Sequence, residues 1–148
     1  MMLWLLQLAD KARHHARLRL WAPSQASGRR GEDLAHRFLQ RLGFSIVARN
    51  FRSRSGSGEI DLIAWDGDTL VFAEVKSLSS DTYSAPDRAI DRLKQELVMR
   101  TAIDYVRRGA APWKRVRFDT VNVLLDHPPR ISLRRDAFPP PAALRRAS

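Results

Sequence analysis

Three carboxylates and one lysine stand close together in the sequence: Glu59, Asp61, Glu74 and Lys76. Carboxylates that converge repel one another or hold a proton, and a divalent cation removes this conflict. Oxygen ligands without histidine or cysteine favour magnesium or manganese over zinc. With a lysine beside it, such an ion suits phosphodiester hydrolysis, because the ion acidifies a water and the ammonium group stabilises charge on the phosphate.

A predicted hairpin carries these four groups. Two strand-like runs, residues 59–64 and 69–76, flank an Asp66-Gly67 pair, which is a strong hairpin signal. The expected cross-strand pairs are Trp65 with Asp68, Asp61 with Phe72, and Glu59 with Glu74. Because strand side chains alternate, the four groups then share one face, with Asp61 and Glu74 as diagonal neighbours.

The alternative is a hairpin whose charged face is turned to solvent and forms only weak ion pairs. Three large apolar residues lie among the charges on that face: Ile63, Leu70 and Phe72. A face of this mixed kind is at least partly buried, and buried acids favour a functional interpretation.

The remaining periodicity predicts the elements that position this hairpin. Residues 31–42 and 86–107 have apolar positions at helical spacing, and residues 44–52 and 115–125 are typical of strands. Residues 131–133 suit a further short strand. The order α-β-β-β-α-β predicts a mixed α/β fold in which helices flank a mixed sheet.

Several motifs resemble those of the YraN family, and the resemblance implies a bacterial endonuclease. The matching segments are Gly31-Glu32-Asp33-Leu34-Ala35, Gly43-Phe44, Arg49-Asn50-Phe51-Arg52, residues 58–64, residues 71–76 and Arg117-Phe118-Asp119. The resemblance covers residues 28–138 and is most specific between residues 58 and 76. It implies a PD-(D/E)xK, restriction-endonuclease-like fold, similar to that of archaeal Holliday-junction resolvases.

The resemblance also implies roles for individual residues. Asp61, Glu74 and the backbone carbonyl of Val75 would hold Mg²⁺ or Mn²⁺, Lys76 would be the catalytic lysine, and Glu32 would be the acid supplied by the first helix. Two departures bear on this transfer. Ile60 stands where the superfamily name has proline, and Leu78 stands where the family often has a basic residue.

Other candidate residues have structural alternatives. Glu32 could instead interact with the dipole of a helix at its first turn. Glu59 is expected to be an auxiliary acid. Four basic residues are candidates for phosphate contacts, although solvent exposure explains them as well: Arg49, Arg52, Arg54 and Lys94.

The amino-acid composition limits which classes of protein and partner are expected. The 148 residues carry a formal net charge of +10, which indicates a polyanionic partner, with DNA as the expected one. We expect a basic amphipathic extension and linker over residues 1–27, a nuclease-like domain over 28–138 and a disordered tail over 139–148. The absence of cysteine and the short apolar start suit a cytoplasmic protein without a transmembrane segment. Many such nucleases pair to cut both strands, so a homodimer is an alternative to a monomer.

Three hypotheses follow. The first is a metal-dependent endonuclease acting on DNA, branched or damaged, in repair, recombination or DNA processing. The second is a module that binds nucleic acid on the same fold without cutting it. The third is a basic adaptor whose flanks bind a membrane or the ribosome.

Overall fold

The computed structural model describes residues 23–54, 56, 58–78, 92–109 and 112–145. Residues 1–22 of the basic extension and linker predicted over residues 1–27 lie outside this range, as does the start of the predicted long helix. The elements in chain order are α1 (Pro23–Arg41), β1 (Ser45–Arg52), β2 (Glu59–Asp66), β3 (Thr69–Leu78), α2 (Arg92–Arg107), β4 (Arg115–Leu124), β5 (Arg130–Phe138) and a short 3-10 helix (Ala142–Leu144). No helix among these is long and apolar enough to cross a membrane.

The five strands form one mixed sheet in the order β1-β2-β3-β4-β5. Neighbouring strands are antiparallel except β3 and β4, which are parallel along ten residue pairs. Parallel strands need a long crossover, and the segment that contains α2 provides it. The predicted mixed α/β fold is therefore confirmed, and its architecture is consistent with a restriction-endonuclease-like core.

Each face of the sheet is covered by one helix. Val71 and Ala73 of β3 pack in a cluster with Leu39 of α1, whereas Leu70 and Phe72 pack in a second cluster with residues of α2. This alternation is what a strand buried on both faces requires. Leu70 and Phe72 are at most 1% exposed, so the apolar residues among the predicted charges are buried as expected.

The structure corrects two predicted boundaries. The helix that was predicted over residues 31–42 begins at Pro23, so the linker predicted before residue 28 is helical instead. Proline is compatible with a helix start because it needs no hydrogen-bond partner for a backbone N–H. The disordered tail is wrong for residues 139–145, since Leu144 is 2% exposed and packs in the core on the α2 side.

The register of the hairpin also differs from the prediction by two residues. Asp66 pairs with Thr69 and Ile63 with Phe72, so the central turn residues are Gly67 and Asp68. Gly67 has φ 60°, and a two-residue turn that needs positive φ at its first central position favours glycine there. Extending this register places Asp61 opposite Glu74 rather than opposite Phe72.

Candidate functional site

The strands β2 and β3 separate where the predicted acids begin. Their pairing runs from Asp66 and Thr69 to Leu62 and Ala73 and ends there. Beyond this point Asp61 Oδ2 accepts a hydrogen bond of 2.8 Å from the backbone N–H of Val75. The carboxylate therefore accepts the hydrogen bond that a backbone carbonyl would accept if the two strands continued to pair. We call the place where β2 and β3 separate the fork, and Asp61 lies at its centre.

Three carboxylates meet at this fork. Glu32 of α1 and Glu59 and Asp61 of β2 each place one oxygen within 4.8 Å of the others. Helix α1 reaches the fork because Gly31 lies so close to Ser77 of β3 that a Cβ on Gly31 would collide with the Ser77 side chain. The structure thus brings together Glu32 and Glu59, which the sequence placed near the site with less certain roles.

Glu74 approaches from the side of the sheet that faces α2. Its residue is 6% exposed, and its Oε1 lies 2.8 Å from Nζ of Lys94. Glu74 Oε2 is buried and has no hydrogen-bond partner among the residues that the structure describes. A buried carboxylate oxygen without a partner is costly, and it marks a place where a cation would be stabilised.

The surroundings of the fork disfavour the ionised forms of two of its acids, Asp61 and Glu32. Burial, followed by the negative charge of Glu74, raises the pKa of Asp61 to about 7, although the Val75 N–H opposes this shift. Burial and the charge of Asp61 also raise the pKa of Glu32, against the opposing effects of Arg29, Asn50 and Arg49. The carboxylates are therefore close enough, and dry enough, to compete for protons.

Basic residues surround the acids, and several of those predicted to contact phosphate bind carboxylates instead. Arg49 lies 2.9 Å from Asp33 and 3.6 Å from Glu32. Arg52 lies 3.3 Å from Glu59, and its side chain is 70% exposed. Lys94 pairs with Glu74 as described above. These ion pairs leave the phosphate-binding predictions untested, and they explain how the outer acids are compensated.

Arg54 and Lys76 complete the predicted set. Arg54 is exposed just after β1, and its backbone N–H donates to Oδ2 of Asp104. Lys76 is half-buried on β3, two residues after Glu74 and in register with Asn122 of β4. Strand alternation places Lys76 on the same face of β3 as Glu74. Its catalytic role stays a prediction.

Two aspects of the site differ from the sequence interpretation. Glu32 is the tenth residue of α1, and the first turn of that helix contains no acid, so the alternative role of Glu32 at the helix dipole is wrong. The sequence interpretation also missed Asn50, which hydrogen-bonds Glu32 and has φ 51°. The signal for Asn50 was present, since asparagine tolerates positive φ better than most residues.

The donor set fits a hard divalent cation. All the candidate side-chain ligands, Glu32, Glu59, Asp61 and Glu74, offer carboxylate oxygens. Magnesium and manganese prefer such oxygens, whereas zinc prefers histidine and cysteine. The unpartnered Oε2 of Glu74 is the clearest structural sign that the residues present suit a cation.

Comparison with known proteins identifies the family. The family model described as "Uncharacterised protein family UPF0102" matches residues 31–123. A "UPF0102 protein" of Solibacter usitatus is 48% identical over 122 residues, covering 82% of this chain and 92% of the relative. One from Rhodococcus opacus is 43% identical over 119 residues, covering 79% and 99%. With more than half of the chain matched by the family model, this protein belongs to the YraN-like UPF0102 family.

Proposed function

We propose that this protein is a metal-dependent endonuclease that hydrolyses phosphodiester bonds of DNA at the fork between β2 and β3. The observation that carries the proposal is the pairing of the half-buried Asp61 with the buried Glu74. Asp61 has no ion-pair partner among the described residues, and Glu74 Oε2 has no hydrogen-bond partner among them. Asp61 thus lacks a basic partner in the described part of the chain, and Glu74 keeps one buried oxygen without a partner there although its other oxygen pairs with Lys94, so the two carboxylates favour binding of Mg²⁺ or Mn²⁺.

The residues of the fork have separable roles in the proposed reaction. Asp61 and Glu74, with the backbone carbonyl of Val75, would hold the ion, and Glu32 and Glu59 would add carboxylates at its outer side. When bound, the ion supplies Lewis acidity at a phosphoryl oxygen and makes the attacking water more acidic. Lys76 would place a compact positive charge near the phosphate, where negative charge grows as water attacks phosphorus and the P–O bond breaks.

Charge outside the fork supports a polyanionic substrate. The chain carries +10 overall. Arg52 lies beside Glu59 with an exposed side chain, Arg54 is exposed two residues further along the chain, and Lys94 is 49% exposed beside Glu74. Positive groups at the edge of an acidic cluster allow a phosphate backbone to approach carboxylates that would otherwise repel it.

The proposal is tested by a cleavage assay with matched variants. Purified full-length protein is incubated with linear, nicked, flapped and four-way-junction DNA in Mg²⁺ or Mn²⁺. Glu74→Gln and Lys76→Met should each reduce cleavage by about a hundredfold or more, in the range seen when a group that stabilises the transition state is removed. The control variants are Glu96→Gln, an exposed acid of α2, and Lys114→Met, which is 84% exposed at the far end of the sheet.

Each outcome separates the hypotheses. Cleavage that is lost in the two site variants and kept in both controls supports the endonuclease. Cleavage that is equal in all five proteins indicates a contaminating nuclease and refutes it. Metal-independent DNA binding without cleavage by the wild type favours the non-catalytic module. Binding that is confined to vesicles or ribosomes favours the basic adaptor.

A further inference from the structure

Asn50 interrupts the regular alternation of β1 beside the acid cluster. Arg49 contacts Asp33 of α1, whereas Phe51 packs its ring 5.1 Å from that of Tyr105 on α2. Residues two apart on a regular strand share a face, so the two should point to the same helix. Asn50 lies between them with φ 51°, and this left-handed conformation sends its neighbours to opposite faces.

The same reversal occurs on β2, directly across from Asn50. Arg49 pairs with Leu62, and Phe51 pairs with Ile60. Leu62 packs in the cluster on the α1 side and Ile60 in the cluster on the α2 side. Asp61 is the residue between them, opposite Asn50. In both strands, therefore, the alternation of side chains between the two faces of the sheet is reversed at one position. On β2 that position is Asp61, which carries the central carboxylate.

The side chain of Asn50 also acts on the cluster. It hydrogen-bonds the carboxylate of Glu32, which favours the ionised form of that acid. The other polar atom of the amide, Oδ1, is buried and accepts no hydrogen bond from the described part of the chain. A half-buried amide whose buried oxygen has no partner among these residues has no packing advantage over an apolar residue, so its position is better explained by the carboxylate it holds.

We infer that Asn50 is a positioning residue with two separable functions: its left-handed backbone sets Asp61 at the fork, and its amide holds Glu32 in the carboxylate cluster. The inference deepens the proposed function and rests on it where metal binding is concerned. Residues that orient metal ligands typically contribute tenfold to a hundredfold to metal affinity, and a loss of about tenfold is expected when the amide is removed.

Glycine and alanine separate the two functions. Asn50→Gly keeps access to positive φ and loses the amide, so it should fold with nearly wild-type stability and bind Mn²⁺ about tenfold more weakly. Asn50→Ala loses both, so it should unfold at a clearly lower urea concentration than Asn50→Gly. Asp136→Gly is the matched control, because Asp136 also has positive φ, 53°, but lies on β5 and donates its N–H to Asp119.

The experiment measures Mn²⁺ affinity by electron paramagnetic resonance and compares crystal structures of metal-free wild type and Asn50→Gly. The expected results are weaker binding in Asn50→Gly, unchanged binding in Asp136→Gly, and a Glu32 carboxylate displaced from Asp61. Equal affinity in Asn50→Gly and wild type, or equal weakening in Asp136→Gly, overturns the amide function. Equal stability of the glycine and alanine variants overturns the backbone function.

If the wild type binds no Mn²⁺, the proposed function is refuted. The role of the Asn50 amide is then tested by the two crystal structures alone. In that case a displaced Glu32 carboxylate in Asn50→Gly still supports the role of the amide. A Glu32 carboxylate that stays beside Asp61 without the amide overturns it.

Discussion

Replacing Asp61 with asparagine should stabilise the metal-free protein at neutral pH. In the folded chain the pKa of Asp61 is raised from 3.8 to about 7, first by burial and then by the charge of Glu74. A carboxyl group with a raised folded pKa binds more protons in the folded state than in the unfolded state. The wild type therefore loses stability as pH rises from about 4 to about 7, and the full cost is present above pH 7.

The magnitude follows from the size of the shift. About three pKa units, at about 1.4 kcal/mol each, give an upper limit of about 4 kcal/mol. Because Asp61 is only partly shielded from solvent, screening reduces this cost, and we expect Asp61→Asn to gain about 2–3 kcal/mol at pH 8. The asparagine Oδ1 can still accept the Val75 N–H, so the substitution removes the charge and keeps the hydrogen bond.

The assay is urea unfolding in EDTA at pH 4.5 and pH 8. Asp61→Asn should gain at most about 1 kcal/mol at pH 4.5, where much of the native-state cost is absent. Asp68→Asn is the control, since Asp68 is an exposed turn residue whose pKa is lowered by its hydrogen bond to Lys114. Adding Mn²⁺ should stabilise the wild type far more than Asp61→Asn. A gain that is equal at the two pH values, or absent at pH 8, would refute the electrostatic reasoning.

Three further predictions concern packing, a buried ion pair and the nucleic-acid interface. Gly58→Ala should lower the free energy of unfolding by about 1–3 kcal/mol, because the new Cβ would lie 2.9 Å from the backbone oxygen of Leu97. Urea titration measures this loss, and a variant as stable as the wild type would contradict the prediction. Asp119→Ala should cost about 2–3 kcal/mol, because the largely buried Arg117 loses its 2.8 Å partner and keeps, among the described carboxylates, only Asp66, at 2.9 Å. Adding Arg117→Met should recover most of that loss, and no recovery would count against the ion pair. If DNA is bound as proposed, Arg54→Ala should reduce the slope of log Kd against log salt concentration by about 1, whereas an unchanged slope would exclude a phosphate contact.

Much of the fold was predictable from the sequence because strong local patterns determine it. Along β3, consecutive side chains point alternately to the two buried faces of the sheet, and α2 has apolar residues at helical spacing. The hairpin register was the informative failure. Asp66-Gly67 favoured one turn, but tertiary pairing placed Gly67 at the first central position. The error was two residues, which preserves which face each side chain occupies.

The composition of the site was less predictable than its location. Local pattern identified Asp61 and Glu74, yet the approach of Glu32 depends on where α1 begins and on the contact between Gly31 and Ser77. Neither is a property of a short sequence window. The reversal at Asn50 was hidden for a similar reason, since positive φ in a strand is imposed by long-range packing that no periodicity reveals.

The acids at the fork differ in whether a basic side chain of the described residues compensates their charge. The acid without such a partner is Asp61, which the proposed chemistry needs. Glu32, Glu59 and Glu74 each have a basic partner. Asp61, at the centre, has only the Val75 N–H among the described residues. A basic side chain on Asp61 would remove most of the cost of burying it, but it would also fill the place of a cation. Stability therefore argues for such a partner and metal binding argues against it. The raised pKa of Asp61 shows that this cost is present in the folded chain.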